Sequence, residues 1–294
     1  MKFGVNTFLW TANFDRSHLP ILPRIKEWGF DGVEFATFNF DEFPAAEAKK
    51  MLSDLGLGCT ICTALIGTQS LVTEDAAVRK STREFLLRAI EGTAAVGADA
   101  LAGPFCSAVG YLPGRRRTED EWKRAVEGLQ SLGHALQSHN VTLAVEPLNR
   151  FETFFLNTAA DSAKLCDEVN HPNIGILFDT FHANIEEKNL ATGLAGVGRH
   201  LRHVHSCEND RGTPGSGHVE WPVLFDTLRR QNYNAWLVIE SFGFSIKEIA
   251  AAACIWRDLA SSPDALAADG VKFLREMAVK SAKGAGRTSK RAEE

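Results

Sequence analysis

Residues 141–181, VTLAVEPLNRFETFFLNTAADSAKLCDEVNHPNIGILFDTF, decide the fold because they contain one complete strand–helix–strand unit. The runs TLAVEPL and IGILFDT are almost continuously apolar, which is typical of parallel strands that are buried on both faces. Between them, Thr158 opens a stretch whose apolar residues have helical spacing. Each apolar run also ends in a carboxylate, Glu146 in the first and Asp179 in the second. The segment therefore predicts a βαβ unit with acids at the carboxyl ends of its strands.

The same alternation of apolar runs and amphipathic stretches recurs along the whole chain. The predicted strands are KFGVNTF, GVEFAT, GCTICTAL, ALAGPF, TLAVEPL, IGILFDT, LRHVHS and WLVIESF. No G-x-G-x-x-G follows the first strand, which argues against a doubly wound sheet. We therefore predict an α/β fold, a (β/α)₈ TIM barrel, as a single domain over residues 1–280. The charged, small-residue segment 281–294, SAKGAGRTSKRAEE, is expected to be a disordered tail.

The composition argues against several classes of protein. The chain of 294 residues carries a formal charge of −5, which provides no general field for a nucleic-acid backbone. No apolar window reaches the roughly 18 residues of a membrane span, and the first residues lack the apolar stretch of a secretory signal. The six cysteines are scattered rather than arranged as a disulfide framework. We expect a cytoplasmic protein with no nucleic-acid partner and no membrane partner.

Cys59 and Cys62 form a C-x-x-C motif inside the predicted strand GCTICTAL. A redox-active C-x-x-C usually lies where a helix N-terminus lowers the thiol pKa, and a strand interior offers no such position. We interpret both thiols as core residues rather than as a redox pair or a zinc site.

The last four predicted strands each end in a side chain that can bind a metal ion: Glu146, Asp179, His205 and Glu240. In a TIM barrel, chemistry is located at the carboxyl ends of the strands, so these side chains should converge at one mouth. Three buried carboxylates there would repel one another unless a cation binds between them. Oxygen ligands with one imidazole suit Mn²⁺, Mg²⁺ or Co²⁺ better than structural zinc.

Other polar residues follow these strands on the predicted loops. Glu152, His182 and Arg211 are suited to hydrogen-bonding a polyhydroxylated ligand, and the planar fork of Arg211 could hold a carbonyl or hydroxyl oxygen. Supporting positions are possible for Arg150, Asn184 and Glu208. The basic run Arg115–Arg117 has three open interpretations: a solvated helix entry, a phosphate contact or a contact with a neighbouring subunit.

At these residues the chain resembles the xylose-isomerase-like sugar epimerases, in particular the D-tagatose/D-psicose (allulose) 3-epimerase group. The motifs that carry the resemblance are GVNTFLW, VEPLNRFET, FDTFHANIEE, HVHSCENDRGTPGSGHVEW and VIESF. The resemblance implies a Mn²⁺ site with Glu146, Asp179, His205 and Glu240 as ligands, and Glu146 and Glu240 as the catalytic acid/base pair. It further implies that Glu152, His182, Arg211, Trp10 and Phe8 bind a keto sugar, and that the protein is a homo-oligomer, either a dimer or a tetramer.

The function hypothesis is inversion of C3 of a ketose of the tagatose, psicose, fructose or ribulose type, by proton transfer through a cis-enediolate. An aldose–ketose isomerase of the hydroxypyruvate or xylose type and an inosose-type dehydratase are alternatives on the same scaffold. A sugar-binding protein without catalysis is the non-enzymatic alternative. A DNA-repair endonuclease of the endonuclease IV kind would need three zinc ions and more histidines than the nine present. The loop GPFCSAVGYLPGRRRTEDEW is longer and more basic than expected, so the substrate and its phosphorylation state stay open.

Overall fold

Eight parallel strands close into a barrel in chain order in the computed structural model, which describes residues 1–244 and 246–291, with side chains described through residue 282. The strands are β1 Lys2–Asn6, β2 Gly32–Ala36, β3 Gly58–Cys62, β4 Ala100–Gly103, β5 Thr142–Val145, β6 Ile174–Asp179, β7 Leu201–His205 and β8 Trp236–Ile239. Strand β1 pairs with both β2 and β8, so the sheet has no open edge. The predicted (β/α)₈ TIM barrel is confirmed.

Helices surround the barrel and connect its strands. They are α1 Ile21–Glu27, α2 Ala45–Leu55, α3 Ala76–Val96, α4 Glu119–Gln130, α5 Gly133–His139, α6 Ala159–Val169, α7 Thr180–Glu186, α8 Leu190–Val197, α9 Trp221–Arg230, α10 Lys247–Ala252 and α11 Pro263–Arg291. Short 3₁₀ turns lie at Thr7–Leu9, Arg16–His18 and Gly198–His200. Within the described part of the chain, no helix is both long and apolar enough to cross a membrane.

The last helix extends into the segment for which the sequence predicts disorder. Helix α11 continues to Arg291, and Ala, Lys and Arg in this segment are residues that favour a helix. Residues 292–294 lie outside the described residues, and a disordered tail over 281–294 therefore stays a prediction.

Glycines at the amino end of the barrel make room for Trp236. A Cβ atom on Gly32 would lie 2.4 Å from the Trp236 ring and 2.3 Å from the carbonyl oxygen of Gly58. A Cβ on Gly58 would lie 2.9 Å from the same ring, so both positions require glycine. The large indole thus fills this end of the barrel, and the polar side chains of the interior lie nearer the opposite end. The largest apolar cluster packs between the strands and the surrounding helices.

Both cysteines of the C-x-x-C motif are buried, and all six cysteines of the chain are free. Burial raises the pKa of Cys59, Cys106 and Cys166 to about 12, and raises the pKa of Cys62 and Cys207 well above the usual thiol value. Cys254 is exposed. These features agree with the interpretation of Cys59 and Cys62 as core residues.

We expect one fast-reacting thiol per native chain, because Cys254 is exposed whereas the other five cysteines are buried. Titration with a disulfide reagent at mild alkaline pH should release about one equivalent quickly and the remainder only after denaturation. The Cys254→Ser variant should lose the fast phase. A fast phase that survives this substitution would show that one of the buried thiols is accessible.

Candidate metal centre

Glu146, Asp179, His205 and Glu240 come together at the carboxyl ends of β5 to β8. Their ligand atoms all lie within 4.8 Å of one another, and all four residues are buried. Nδ1 of His205 lies 3.3 Å from Glu240 Oε2, 3.6 Å from Asp179 Oδ2 and 3.8 Å from Glu146 Oε1. The structure thus brings into one group the four residues that the sequence predicts as metal ligands.

Two buried atoms of this group show whether its residues fit a cation. Glu146 Oε1 and His205 Nδ1 are buried and have no hydrogen-bond partner in the protein, and such atoms are costly unless they bind something. Arg211 bonds to two of the three carboxyl groups, Asp179 and Glu240, and these contacts do not extend to Glu146. A divalent cation would satisfy both atoms. The residues present therefore fit Mn²⁺, Mg²⁺ or Co²⁺.

The carboxyl groups of the centre differ in how readily they hold a proton. Burial, together with the charges of Glu240 and Asp179, raises the pKa of Glu146 well above its usual value. Burial would also raise the pKa of Asp179, but Arg211 and His205 outweigh it and hold that pKa well below its usual value. A group that holds a proton beside one that stays ionised is an arrangement typical of acid/base sites.

Arg211 connects the candidate ligands to the loop after β7. Its Nη1 donates to Asp179 Oδ2 and to Glu240 Oε2, both at 2.7 Å. The guanidinium lies between the rings of Phe181 and Phe242, at 4.1 and 5.0 Å from their centroids. The backbone of Arg211 has φ of 65°, a left-handed conformation that is uncommon for residues other than glycine. Such strain is found at functional sites, where surrounding contacts hold it in place.

His182 and Glu152 lie beside the centre and share Asn149 as a partner. The backbone N–H of Asn149 donates to His182 Nδ1 at 3.0 Å, and its side-chain amide donates to Glu152 Oε1 at 2.8 Å. Burial lowers the pKa of His182 to about 3, so the ring is neutral, and Arg211 Nη2 lies 3.1 Å from its Nε2. That nitrogen lies 3.6 Å from Glu146 Oε1. Asn149 was not predicted from the sequence, because an amide in a loop carries no distinguishing pattern.

The two aromatic residues predicted to contact the sugar have different surroundings. Phe8 packs against Phe242, with ring centroids 5.4 Å apart. Phe242 also contacts the Arg211 guanidinium, so both rings lie on the same side of the centre. Trp10 instead stacks on Trp28 at 5.8 Å and donates its ring N–H to Asp264 at 2.9 Å. The structure does not bring Trp10 to the four candidate ligands, because the 3₁₀ turn after β1 directs it toward α1 and α11.

The basic run before α4 is largely engaged within the chain. Arg115 makes two hydrogen bonds to Glu121, at 2.7 and 3.0 Å, and Glu121 also closes the capping box with Thr118. Arg117 donates to Asp161 at 2.9 Å and to a backbone carbonyl. These contacts favour the helix-entry interpretation of Arg115–Arg117.

The three supporting positions have separate surroundings. Arg150 is paired with Glu186 through two hydrogen bonds, at 2.9 and 3.1 Å. Glu208 is fully buried and accepts from the backbone N–H of Gly217 at 2.8 Å, which ties together the ends of the loop that carries Arg211. Asn184 lines a surface cleft that includes Lys188, away from the four ligands.

A carboxylate that was not predicted from the sequence lies directly beneath the centre. Glu34 on β2 is fully buried, and its Oε1 is 2.8 Å from His205 Nε2. It is also part of a second group of possible ligand residues, with Cys62 and His205. A lone acid within the apolar strand GVEFA was the sequence pattern that could have revealed it.

A cleft of about 390 Å³ opens beside Arg211 and is large enough for a small ligand. Its lining comes from α7, from the loop after β7 and from the segment between α10 and α11. The residues around it are Phe181, Asp210, Arg211, Ala253, Cys254, Ile255, Trp256, Arg257 and Leu259.

The chain is similar in sequence and fold to several known proteins. The sequence profile of the Xylose isomerase-like TIM barrel family matches residues 22–277. A probable ketose 3-epimerase of a Synechocystis species is 40% identical over 94% of this chain and 96% of its own length. A D-psicose 3-epimerase of Agrobacterium fabrum is 31% identical over 90% of this chain and 93% of its own. A solved structure of an L-ribulose 3-epimerase superposes with a TM-score of 0.93 at 29% identity, and covers 98% of both chains.

Proposed function

Because the chain belongs to the Xylose isomerase-like TIM barrel family, we propose that it is a ketose 3-epimerase, an isomerase that inverts C3 of a keto sugar. The observation that carries the proposal is the convergence of two buried glutamates, Glu146 after β5 and Glu240 after β8, on one group of candidate ligands. Relatives named as ketose, D-psicose and L-ribulose 3-epimerases, similar over nearly the whole chain, support this reaction class.

In this proposal Glu146, Asp179, His205 and Glu240 hold a divalent cation, with Mn²⁺ the preferred ion and Co²⁺ or Mg²⁺ as alternatives. When bound, the cation would act as a Lewis acid that makes the proton beside the ketone easier to remove. Asp179 and His205 serve as ligands only. Glu146 and Glu240 have a second role, because each carries a carboxylate that can exchange a proton with carbon.

Inversion needs two bases, since one carboxylate acting alone would return the proton to the face from which it came. One glutamate removes the proton from C3, the substrate becomes a planar cis-enediolate, and the other glutamate delivers a proton to the opposite face. The configuration of the substrate sets which of Glu146 and Glu240 acts first.

The polar residues beside the centre would hold the sugar. Arg211 presents donors to its oxygen atoms, His182 offers Nε2 to a hydroxyl group, and Glu152 can accept from a hydroxyl. Phe8 and Phe242 offer apolar contact on one side. We propose an unphosphorylated ketose, because Arg115 and Arg117 are held in ion pairs with Glu121 and Asp161 rather than directed at a ligand.

The experiment that tests this function is incubation of the Mn²⁺-loaded protein with ketopentoses, ketohexoses and their phosphates in D₂O, followed by NMR. We expect a C3 epimer as product with deuterium at C3. A label at C1 or C2 with an aldose product would instead identify an aldose–ketose isomerase, and loss of water would identify a dehydratase. Metal binding without turnover of any sugar would favour a sugar-binding protein.

We further propose a cytoplasmic homo-oligomer, a dimer or a tetramer. Free, buried thiols support a reducing compartment. Exposed apolar side chains support an interface between copies: Phe151 is 70% exposed and Trp256 is 78% exposed. Light scattering of the purified protein tests the oligomeric state directly.

A further inference from the structure

Glu34 is a charged residue at a position inside the barrel where branched apolar residues usually pack. It is 0% exposed and lies on β2, below the four candidate ligands. Its register neighbours are Asn6 on β1 and Thr60 on β3. An isolated carboxylate at such a depth would be strongly destabilising, so its environment must compensate for the lost hydration.

Four side chains surround the carboxylate of Glu34. Asn6 Nδ2 donates to Oε1 at 2.9 Å, and Thr60 Oγ1 donates to Oε2 at 2.8 Å. His205 Nε2 lies 2.8 Å from Oε1, and His203 Nε2 lies 2.8 Å from Oε2. Both oxygens of the Glu34 carboxyl group are therefore fully surrounded by side chains that can donate to them.

This arrangement determines how the ring of His205 is used. Both Glu34 oxygens already accept from Asn6 and Thr60, so Oε1 acts as an acceptor toward His205 as well, and this contact places an N–H on Nε2 of His205. The other nitrogen, Nδ1, faces Glu146, Asp179 and Glu240, and it has no partner in the protein. The ring is held at one end by Glu34 and offers its other end to the candidate metal centre.

We propose that Glu34 is a positioning residue for the metal centre: it fixes the tautomer and orientation of His205, and Asn6 and Thr60 fix Glu34 in turn. A carboxylate behind a ligating histidine both orients the ring and increases its basicity. This inference rests on the metal centre of the proposed function. It adds a residue from β2, a strand that carries none of the four candidate ligands.

The test is the affinity of Mn²⁺ for metal-depleted protein, measured by the loss of the free-Mn²⁺ electron paramagnetic resonance signal. Glu34→Leu keeps the approximate volume and removes both acceptors, and we expect the Kd for Mn²⁺ to rise about 10–100-fold. Glu34→Gln keeps one acceptor for His205 but loses the charge, and its Kd should lie between wild type and Glu34→Leu. Saturating Mn²⁺ should restore most of the metal-bound state in both variants.

If Glu34 had only a structural role, its substitution would not change the tautomer of His205. In Mg²⁺-loaded protein, long-range ¹H–¹⁵N spectra should show His205 protonated on Nε2, and Glu34→Leu should lose this single tautomer. Glu121→Gln is the matched control, because it neutralises another buried carboxylate that has no contact with the centre. Its Kd for Mn²⁺ should equal that of wild type.

The outcomes separate this inference from the proposed function. If Glu34→Gln folds and binds Mn²⁺ with the wild-type Kd and tautomer, the positioning role is overturned whatever the enzyme does to sugars. If Glu34→Leu does not fold, Glu34→Gln alone decides. A wild type that binds Mn²⁺ with the expected Glu34 dependence but converts no ketose would overturn the function and leave the inference standing.

Discussion

Glu146→Gln and Glu240→Gln should each lower the kcat of C3 epimerisation by about 10²–10⁴-fold, the range that a positioned acid or base contributes. The amide is close in size to the carboxyl group and can still offer an oxygen, but it cannot accept and return a proton. Chiral chromatography of the product mixture, at saturating Mn²⁺ and with the bound metal quantified, separates this loss from a loss of the cation.

The two variants should differ from each other in D₂O. With a substrate of one configuration, the glutamate that removes the C3 proton is intact in one of the two variants. That variant should exchange the C3 proton with solvent without inverting the centre, whereas the other should do neither. The roles should reverse with the C3 epimer as substrate. Equal, near-wild-type turnover in either variant would contradict the two-base scheme, and Glu121→Gln provides the control for neutralising a buried glutamate away from the centre.

Removal of the cation should abolish epimerisation and also destabilise the folded protein. The buried, unpartnered atoms of Glu146 and His205 provide the reason for both effects. A ligand that binds only the native state at 100 times its Kd stabilises by about 2.7 kcal/mol, which corresponds to a rise in Tm of about 5 °C or more for a chain of this size.

The measurement is differential scanning fluorimetry and activity before and after dialysis against a chelator. Full recovery on addition of Mn²⁺, Co²⁺ or Mg²⁺, in a ranked order, would identify the preferred ion. A chelator-treated protein, shown to be metal-free by elemental analysis, that turns over at the original rate would contradict a catalytic role for the cation.

The fold was predictable because its pattern is local. A parallel strand that is buried on both faces must be apolar along its whole length, whichever strand it pairs with, so each of the eight runs could be read separately. The positions of Glu146, Asp179, His205 and Glu240 were predictable for a related reason. Residues at the carboxyl ends of barrel strands all lie at one mouth of the barrel. The position of each residue at the end of its apolar run was therefore enough to predict that the four lie close together.

The tertiary structure alone decided the contacts that run across the barrel. Glu34 meets His205 and His203 only because the sheet closes through β8 and β1 and brings β2 and β7 to the same interior, with a stagger that no local pattern encodes. In the same way, the position of the Trp10 ring, stacked on Trp28 rather than beside the four candidate ligands, is visible only in the tertiary structure.

The contacts of one loop also depend on both the sequence and the tertiary structure. The run Arg115–Arg117 was visible in the sequence, but its meaning depends on where Glu121 and Asp161 lie in space. The sequence by itself determined the barrel and the four residues at its mouth, since burial and strand direction are properties of each segment. Only the closed structure decided which side chains support them, because hydrogen bonds and ion pairs depend on distances between segments that are far apart along the chain.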